Sequence, residues 1–356
     1  MLLDPSGGGL LARAAQVRSR SRLQPALDRD EVKHELLLAQ LETSTPVCES
    51  LTEVGGHLLR MRDALSEAAS REGCLLAATG SAPFADGAWP VPITDTPRYR
   101  HMRQEAGLLS DEQLINGLHV HVEIRDDQER IEAHNRVRPW LPLLVALAAD
   151  SPFWRGRDTG FASWRNLVSA RWPVSGVPPL FHSAEDYWRR AEELVEHGMI
   201  ADIGQLYWLV RASARFPTLE VRAFDAQMRA DEAVALAGFV RALVVTVLAE
   251  AAAGLPTPTP SPELLDAAVW HAARYGLAGD IHDPRDLRPR PAKSVLHDAL
   301  DDLGPALRRV GDDRYVGQIL ERMLQEGNGA MRLRKVLDER GWPAALTYLC
   351  DETQSL

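Results

Sequence analysis

The segment Gly117-Leu-His-Val-His-Val-Glu-Ile-Arg125 alternates apolar and polar residues, so an extended chain here aims His119, His121 and Glu123 at one surface. The two imidazoles could ligate a divalent cation or meet a phosphate, with Glu123 a further ligand or a neighbour. A solvated strand face carrying histidines by chance explains the same pattern. Further along, Thr218-Leu-Glu-Val-Arg222 sets Glu220 and Arg222 side by side on one strand face. A carboxylate suits magnesium and a guanidinium suits phosphate or an amino-acid carboxylate, while the plain alternative is a surface ion pair. Glu35 and Glu42 lie among apolar residues seven positions apart. That spacing shares a face on a helix and opposes faces on one straight strand, so pattern alone does not say whether they converge. Taken singly, each reads as an exposed charge.

Arg165 follows a stretch of aromatic, small and cationic residues, Ser151-Pro-Phe-Trp-Arg-Gly156 and Phe161-Ala-Ser-Trp-Arg165. It is suited to clamp phosphate, though a lone arginine is commonly just solvated. Gly7-Gly-Gly9 lacks the lysine that a phosphate-cradling glycine loop needs, and no GxxxxGK[ST] occurs. If ATP binds, metals and arginines must hold its phosphates. No Ser-His-Asp or Cys-His arrangement suggests covalent catalysis.

These residues need elements to place them. Leu51, Val54, Leu58, Met61, Leu65 and Ala68 recur at helical steps and predict a helix ending near Gly73, followed by a buried strand over Cys74 to Thr79. Leu118 to Ile124 and Thr218 to Asp225 read as alternating strands, and Ser183 with Asp186 resembles a helix capping box. Trp140 to Ala149 and Leu236 to Gly254 read as buried helices, the second interrupted by Arg241 and Glu250 and so poorly suited to span a bilayer. Alternating prolines across Gly254 to Pro262 forbid helix. They divide residues 1–253, a mixed core, from a linker, 254–263, and an all-helical segment, 264–356, packed on that core. Strands mixed with helices predict an α+β fold with an antiparallel sheet, helices packed on it and a helical C-terminal tail.

The formal charge of −10 and the pI near 5.6 argue against a general binder of nucleic acid or of anionic membranes, both of which would repel the chain. Cys48, Cys74 and Cys350 are far apart and make no CxxC pair, which fits reduced thiols in a cytoplasmic protein. Asp4 and Pro5 stand where a secretion signal would need basic and apolar runs.

The order of the motifs says more than any one of them. Val32-Lys-His-Glu35, Leu41-Glu-Thr-Ser-Thr-Pro46, Thr79-Gly-Ser-Ala-Pro-Phe84, Arg98-Tyr99, Gly117-Leu-His-Val-His-Val122, Asp158-Thr-Gly-Phe-Ala-Ser-Trp-Arg165, Thr218-Leu-Glu-Val-Arg222 and Ala273-Arg-Tyr-Gly-Leu277 follow one another. Together they resemble the glutamate–cysteine ligase type 2 family of carboxylate–amine ligases across nearly the whole chain. The resemblance implies a glutamine-synthetase-like fold whose curved antiparallel sheet holds magnesium over an ATP site. It implies that Glu35, Glu42, His119 and Glu220 serve the metal, and that His119, Arg165 and Arg222 contact nucleotide or substrate. Arg165 and Arg222 would supply the catalytic positive charge, and His121 fits the nucleotide-side motif without a defined role. Substrates would be an amino-acid carboxylate and an amine, joined through an acyl phosphate, and a homodimer is compatible with the reading.

Departures accompany the resemblance. The family's opening Gly-x-Glu-x-Glu strand is not seen, since the sequence starts inside it at Met1-Leu-Leu-Asp-Pro5, and the expectation is that the missing strand lies upstream. Ser81-Ala82 replaces a Thr-His pair, and Glu123 stands where a small residue is usual. Two rivals remain: a catalytically impaired relative that acts as a binding protein, and a metal-dependent hydrolase using His119 and His121.

Overall fold

The computed structural model describes residues 1–21, 27–28, 31–84, 87 and 89–355. At its centre lies a three-stranded antiparallel sheet in which Thr218–Asp225 runs between the edge strand Val210–Ala212 and the histidine strand Gly117–Glu123. Alternation in the sequence becomes two faces in space. Val120, Leu219 and Val221 are buried on the core side, while Glu220 and the two histidines occupy the other.

The pairing is not uniform. Val221 faces Val120 and Phe224 faces Leu118, so the central strand advances three residues while its partner advances two. The extra residue makes a β-bulge at Arg222 and Ala223, both set against His119. Beyond it the alternation is lost, and Ala223, Phe224 and Asp225 are all buried.

The α+β expectation holds, with short pieces of sheet around this centre. Val32–His34 pairs with Leu41–Thr43, Leu2–Leu3 with Leu75–Leu76, and Phe153–Trp154 with Arg157–Asp158, all antiparallel. Ser175–Gly176 and Tyr207–Trp208 are parallel. The histidine-strand and central-strand boundaries fall within a residue or two of those predicted.

Helices cover the apolar face of the sheet. Leu141–Leu147 is buried throughout, and Ala230–Ala252 crosses the core beside it. By length and composition Ala230–Ala252 is apolar enough to cross a membrane, but 67% of that window is packed inside the fold. Arg241 does not interrupt it, because its guanidinium leaves the helix to bond the carbonyl of Glu49 and the carboxylate of Asp312. Leu51–Arg71 starts at Ser50, whose hydroxyl accepts from the amide of Glu53 at 3.2 Å, and buries Met61, Ala64, Leu65, Ala68 and Ala69.

Beyond the prolines come helices Pro262–Tyr275, Ala292–Val310, Asp313–Glu326 and Gly329–Gln354. Two features depart from an all-helical tail. Asp280–His282 and Pro289–Pro291 form a short antiparallel hairpin, and the last helix continues to Gln354 across a break at Gly341, whose φ of 76° favours glycine. Val295, Leu296, Leu303, Val316 and Leu320 share one hydrophobic cluster with Val120, Leu219 and Val221 of the sheet.

Because that cluster spans both sides of the prolines, Leu296→Ala should cost about 2–5 kcal/mol. Urea unfolding followed by tryptophan fluorescence and by far-ultraviolet dichroism should give coincident transitions. A separate early transition in either probe would contradict a shared core.

Candidate functional site

Glu220 sits at the middle of the polar sheet face with only 3% of its surface exposed. Register places Arg211 opposite it on the edge strand and His121 opposite it on the histidine strand. Cross-strand neighbours share a face, so the three side chains form a row. Arg211 holds the carboxylate with Nε to Oε2 at 2.7 Å and Nη2 to Oε1 at 3.2 Å. Arg222, two residues along the same strand, donates Nη1 to Oε1. His119 Nδ1 and His121 Nε2 lie 3.5 and 3.7 Å from that same oxygen. The bulge brings Arg222 Nη1 within 3.2 Å of His119 Nδ1.

Electrostatics follows from this packing. Burial would raise the Glu220 carboxyl, but Arg222 and Arg211, with His119, outweigh it and hold the group ionised far below the usual range. His119 is pushed well below an ordinary histidine by burial first and Arg222 second, so it is neutral near neutrality. His121 moves the same way, with burial leading. Arg222 falls to about 10 through burial and the repulsion of Arg211, and so remains a cation.

Arg165 approaches from below. Its Nη2 donates to the carbonyl of Arg222 at 3.0 Å, while Nε and Nη1 are buried with no hydrogen-bond partner. Its loop is ordered by Asp225, the last residue of the central strand, which accepts from Ser151 Oγ at 2.6 Å, Ser163 Oγ at 2.8 Å and the amide of Asp150 at 2.8 Å. Ser163 also caps the short helix that starts at Trp164. Gly117 makes room: a Cβ there would stand 2.6 Å from Arg165 Nη2.

Glu35 and Glu42 come from neighbouring segments. Glu35 follows Val32–His34, and Glu42 lies in the partner strand opposite Lys33, exposed to solvent. The Glu35 carboxyl is raised chiefly by burial and also by the charge of Glu42, while Leu36's amide, Arg222 and Arg98 pull it down. Tyr99 is pushed up to about 12 by burial and by the same two glutamates. Both glutamates thus lie within the electrostatic field of Tyr99, and Glu35 within that of Arg222. Among the described residues, however, no three His, Cys, Asp or Glu side chains are gathered into a metal-binding cluster. His119, His121, Glu220 and Arg222 touch directly, Arg165 joins through the backbone of Arg222, and Glu35 and Glu42 stand at the edge.

Arg211 was not singled out from sequence. Its position in Val210-Arg-Ala212 carries the alternation that could have pointed to it, but the strand is only three residues long. Tyr207 was missed likewise. It is raised by burial and lies within the field of Arg98, Arg222 and Arg211.

The chain matches glutamate–cysteine ligase family 2 over residues 5–348 and belongs to that family. A protein of Mycobacterium sp. (strain KMS), provisionally named glutamate–cysteine ligase 2-2, is 40% identical over 343 residues, covering 96% of this chain and 92% of its own. A Salinispora arenicola (strain CNS-205) relative, provisionally named glutamate–cysteine ligase 2, is 39% identical over 357 residues, covering 99% and 93%. Among solved structures, the glutamate–cysteine ligase of Francisella tularensis, in complex with AMP, superposes with a TM-score of 0.69 at 12% identity over 100% of this chain and 87% of its own. That likeness gives the fold.

The depressed His119 sets a pH dependence. Unfolded, the imidazole takes a proton near its ordinary 6.5, whereas folded it does so only well below. Stability should fall as pH drops from about 7 to about 5, because the unfolded chain binds more protons there. Glu220 contributes in a lower window, since its depressed carboxyl loses stabilisation only as pH falls below its ordinary 4.5. His119→Gln should flatten the slope in part, leaving the same-signed contributions of His121 and of His134, which burial holds down at about 3. Urea midpoints across this range measure it, and an unchanged slope would contradict a neutral His119.

Proposed function

We propose that this protein is an ATP-dependent carboxylate–amine ligase, joining an amino-acid carboxylate to an amine through an acyl phosphate. Glutamate and cysteine, the pair in the family's name, are the first substrates to test. The observation that carries the reading is the cluster of Arg211, Arg222 and His119 around the buried Glu220, with Arg165 beneath it. Two partnerless nitrogens on a buried guanidinium, beside a second arginine that stays cationic, form a fixed positive surface of the kind that phosphoryl transfer requires. The AMP bound to the Francisella tularensis ligase supports a nucleotide here.

The carboxylates among these residues are the oxygen donors that magnesium takes. Glu220 is ionised, His119 is neutral, and Glu35 is destabilised by burial and by Glu42, a repulsion that a divalent cation would relieve. We assign Glu35, Glu42, Glu220 and His119 to hold it. When bound it would neutralise phosphate oxygens.

In the first step an oxygen of the substrate carboxylate attacks the terminal phosphorus of ATP, and the bond to ADP breaks. Arg222 and Arg165 hold charge against the transferring group. The amine nitrogen then attacks the acyl carbon, and phosphate leaves with the bonding pair and takes up the proton that the amine loses. Glu220 orients Arg211 and Arg222 throughout. The free thiols of Cys48, Cys74 and Cys350 agree with a reducing, cytoplasmic setting.

Purified protein with ATP, magnesium, glutamate and cysteine should release ADP and phosphate only when acid and amine are both present, and hydroxylamine should trap the acyl group as a hydroxamate. Glu220→Ala should abolish ADP release in a folded protein. Arg222→Lys should lower turnover by about 10²–10³-fold. Normal turnover in either variant would refute these roles. Metal-dependent hydrolysis without ATP would replace the ligase reading altogether.

A further inference from the structure

Away from this site, two histidines meet across elements that the proposed reaction does not use. His271 lies on the helix Pro262–Tyr275, and His282 ends the first strand of the hairpin that follows. Their ring centres are 5.2 Å apart with planes at 86°. Both rings are half-buried, and the Nδ1 atom of each is buried with no hydrogen-bond partner. A buried imidazole nitrogen left unpaired is costly, and two of them in adjacent rings call for a shared explanation.

We propose that His271 and His282 form a two-histidine site for a divalent transition-metal ion of the zinc class. Two imidazoles bound to one tetrahedral ion at about 2.0–2.1 Å have ring centres about 5 Å apart, which matches the separation here. Neutral imidazole with water and carboxylate is a donor set that zinc accepts. Asp280 stands two residues before His282 on the same strand face, with the buried Ile281 between them. Its carboxylate lies in the electrostatic field of His282, where it favours positive charge. No third ligand is already gathered with the pair among the described residues, so water fills the remaining positions until Asp280 swings in.

The location gives such an ion a mechanical role. The last turn of the His271 helix offers the carbonyls of Ala273 and Arg274 to the amides of Ser163 and Ala162, at 2.9 and 3.2 Å. An ion joining helix and hairpin would stiffen the support of the loop that carries Arg165.

The metal-free protein titrated with zinc, and with cobalt for its visible absorption, tests this. One equivalent should be lost, or its affinity weakened more than about tenfold, in His271→Gln and in His282→Gln, while His119→Gln retains it. Zinc bound equally by all variants, lost only with His119→Gln, or absent from the wild type would reduce the pair to an aromatic contact. Should the variants fail to fold, the unsubstituted chain decides. Zinc should shield His271 and His282 from diethyl pyrocarbonate, read by peptide mass, and equal modification with and without zinc would overturn the site.

Discussion

The polar face of the sheet depends on one buried negative charge and the cations that compensate it. Placing the Glu220 carboxylate at 3% exposure is expensive unless its oxygens are paired, and Arg211 and Arg222 occupy both. Those arginines cannot then be placed freely. Arg211 also donates Nη1 to the carbonyls of Gly204 and Leu206, which fixes the approach to the edge strand. Burial first, and Arg222 beside it second, keep the His119 imidazole neutral. Buried ion pairs contribute little net stability compared with apolar packing of equal volume. The arrangement is better understood as a preorganised field, set before any substrate arrives.

Positioning extends outward from the same strand. Asp225 terminates it and gathers Ser151, Ser163 and the amide of Asp150, which shapes the turn that delivers Arg165 under Arg222. Gly117 is required there because the guanidinium occupies the place of a side chain. A glycine that opens one strand and an aspartate that closes its neighbour thus serve a single arginine.

Much of this was legible in sequence where a short period repeats. The alternation over Leu118 to Ile124 and Thr218 to Asp225 gave both strands, one face with His119 and His121 and another with Glu220 and Arg222, while their pairing into one surface appears only in the fold. The helix Leu51–Arg71 was readable because Leu51, Val54, Leu58, Met61, Leu65 and Ala68 fall at helical steps and Gly73 follows. What escaped depends on tertiary pairing. The bulge at Arg222 leaves no local mark, since an extra residue shows only against the partner strand. Arg211 sits in three residues of strand, too few for a period to register. Glu35 and Glu42 obey neither geometry weighed for them, because the chain reverses between two short paired strands and sets them on adjacent segments. The tail hairpin at Asp280–His282 and Pro289–Pro291 was hidden by its prolines, which argue against strand except at an edge.

The long-range ties of Arg62 bear on how the molecule assembles. Its guanidinium donates to the carbonyls of Gln227 and Met228, just past the central strand, and to that of Thr353, while Thr353 Oγ1 receives the amide of Ala78. During translation, the segment around 353 emerges more than a hundred residues after the central strand. Leu141–Leu147 and Ala230–Ala252 can cover the apolar face of the sheet early, but Arg62 finds its third acceptor only when the last helix arrives. A knot of bonds joining residue 62, the end of the central strand and residue 353 therefore closes only when nearly the whole chain has been made.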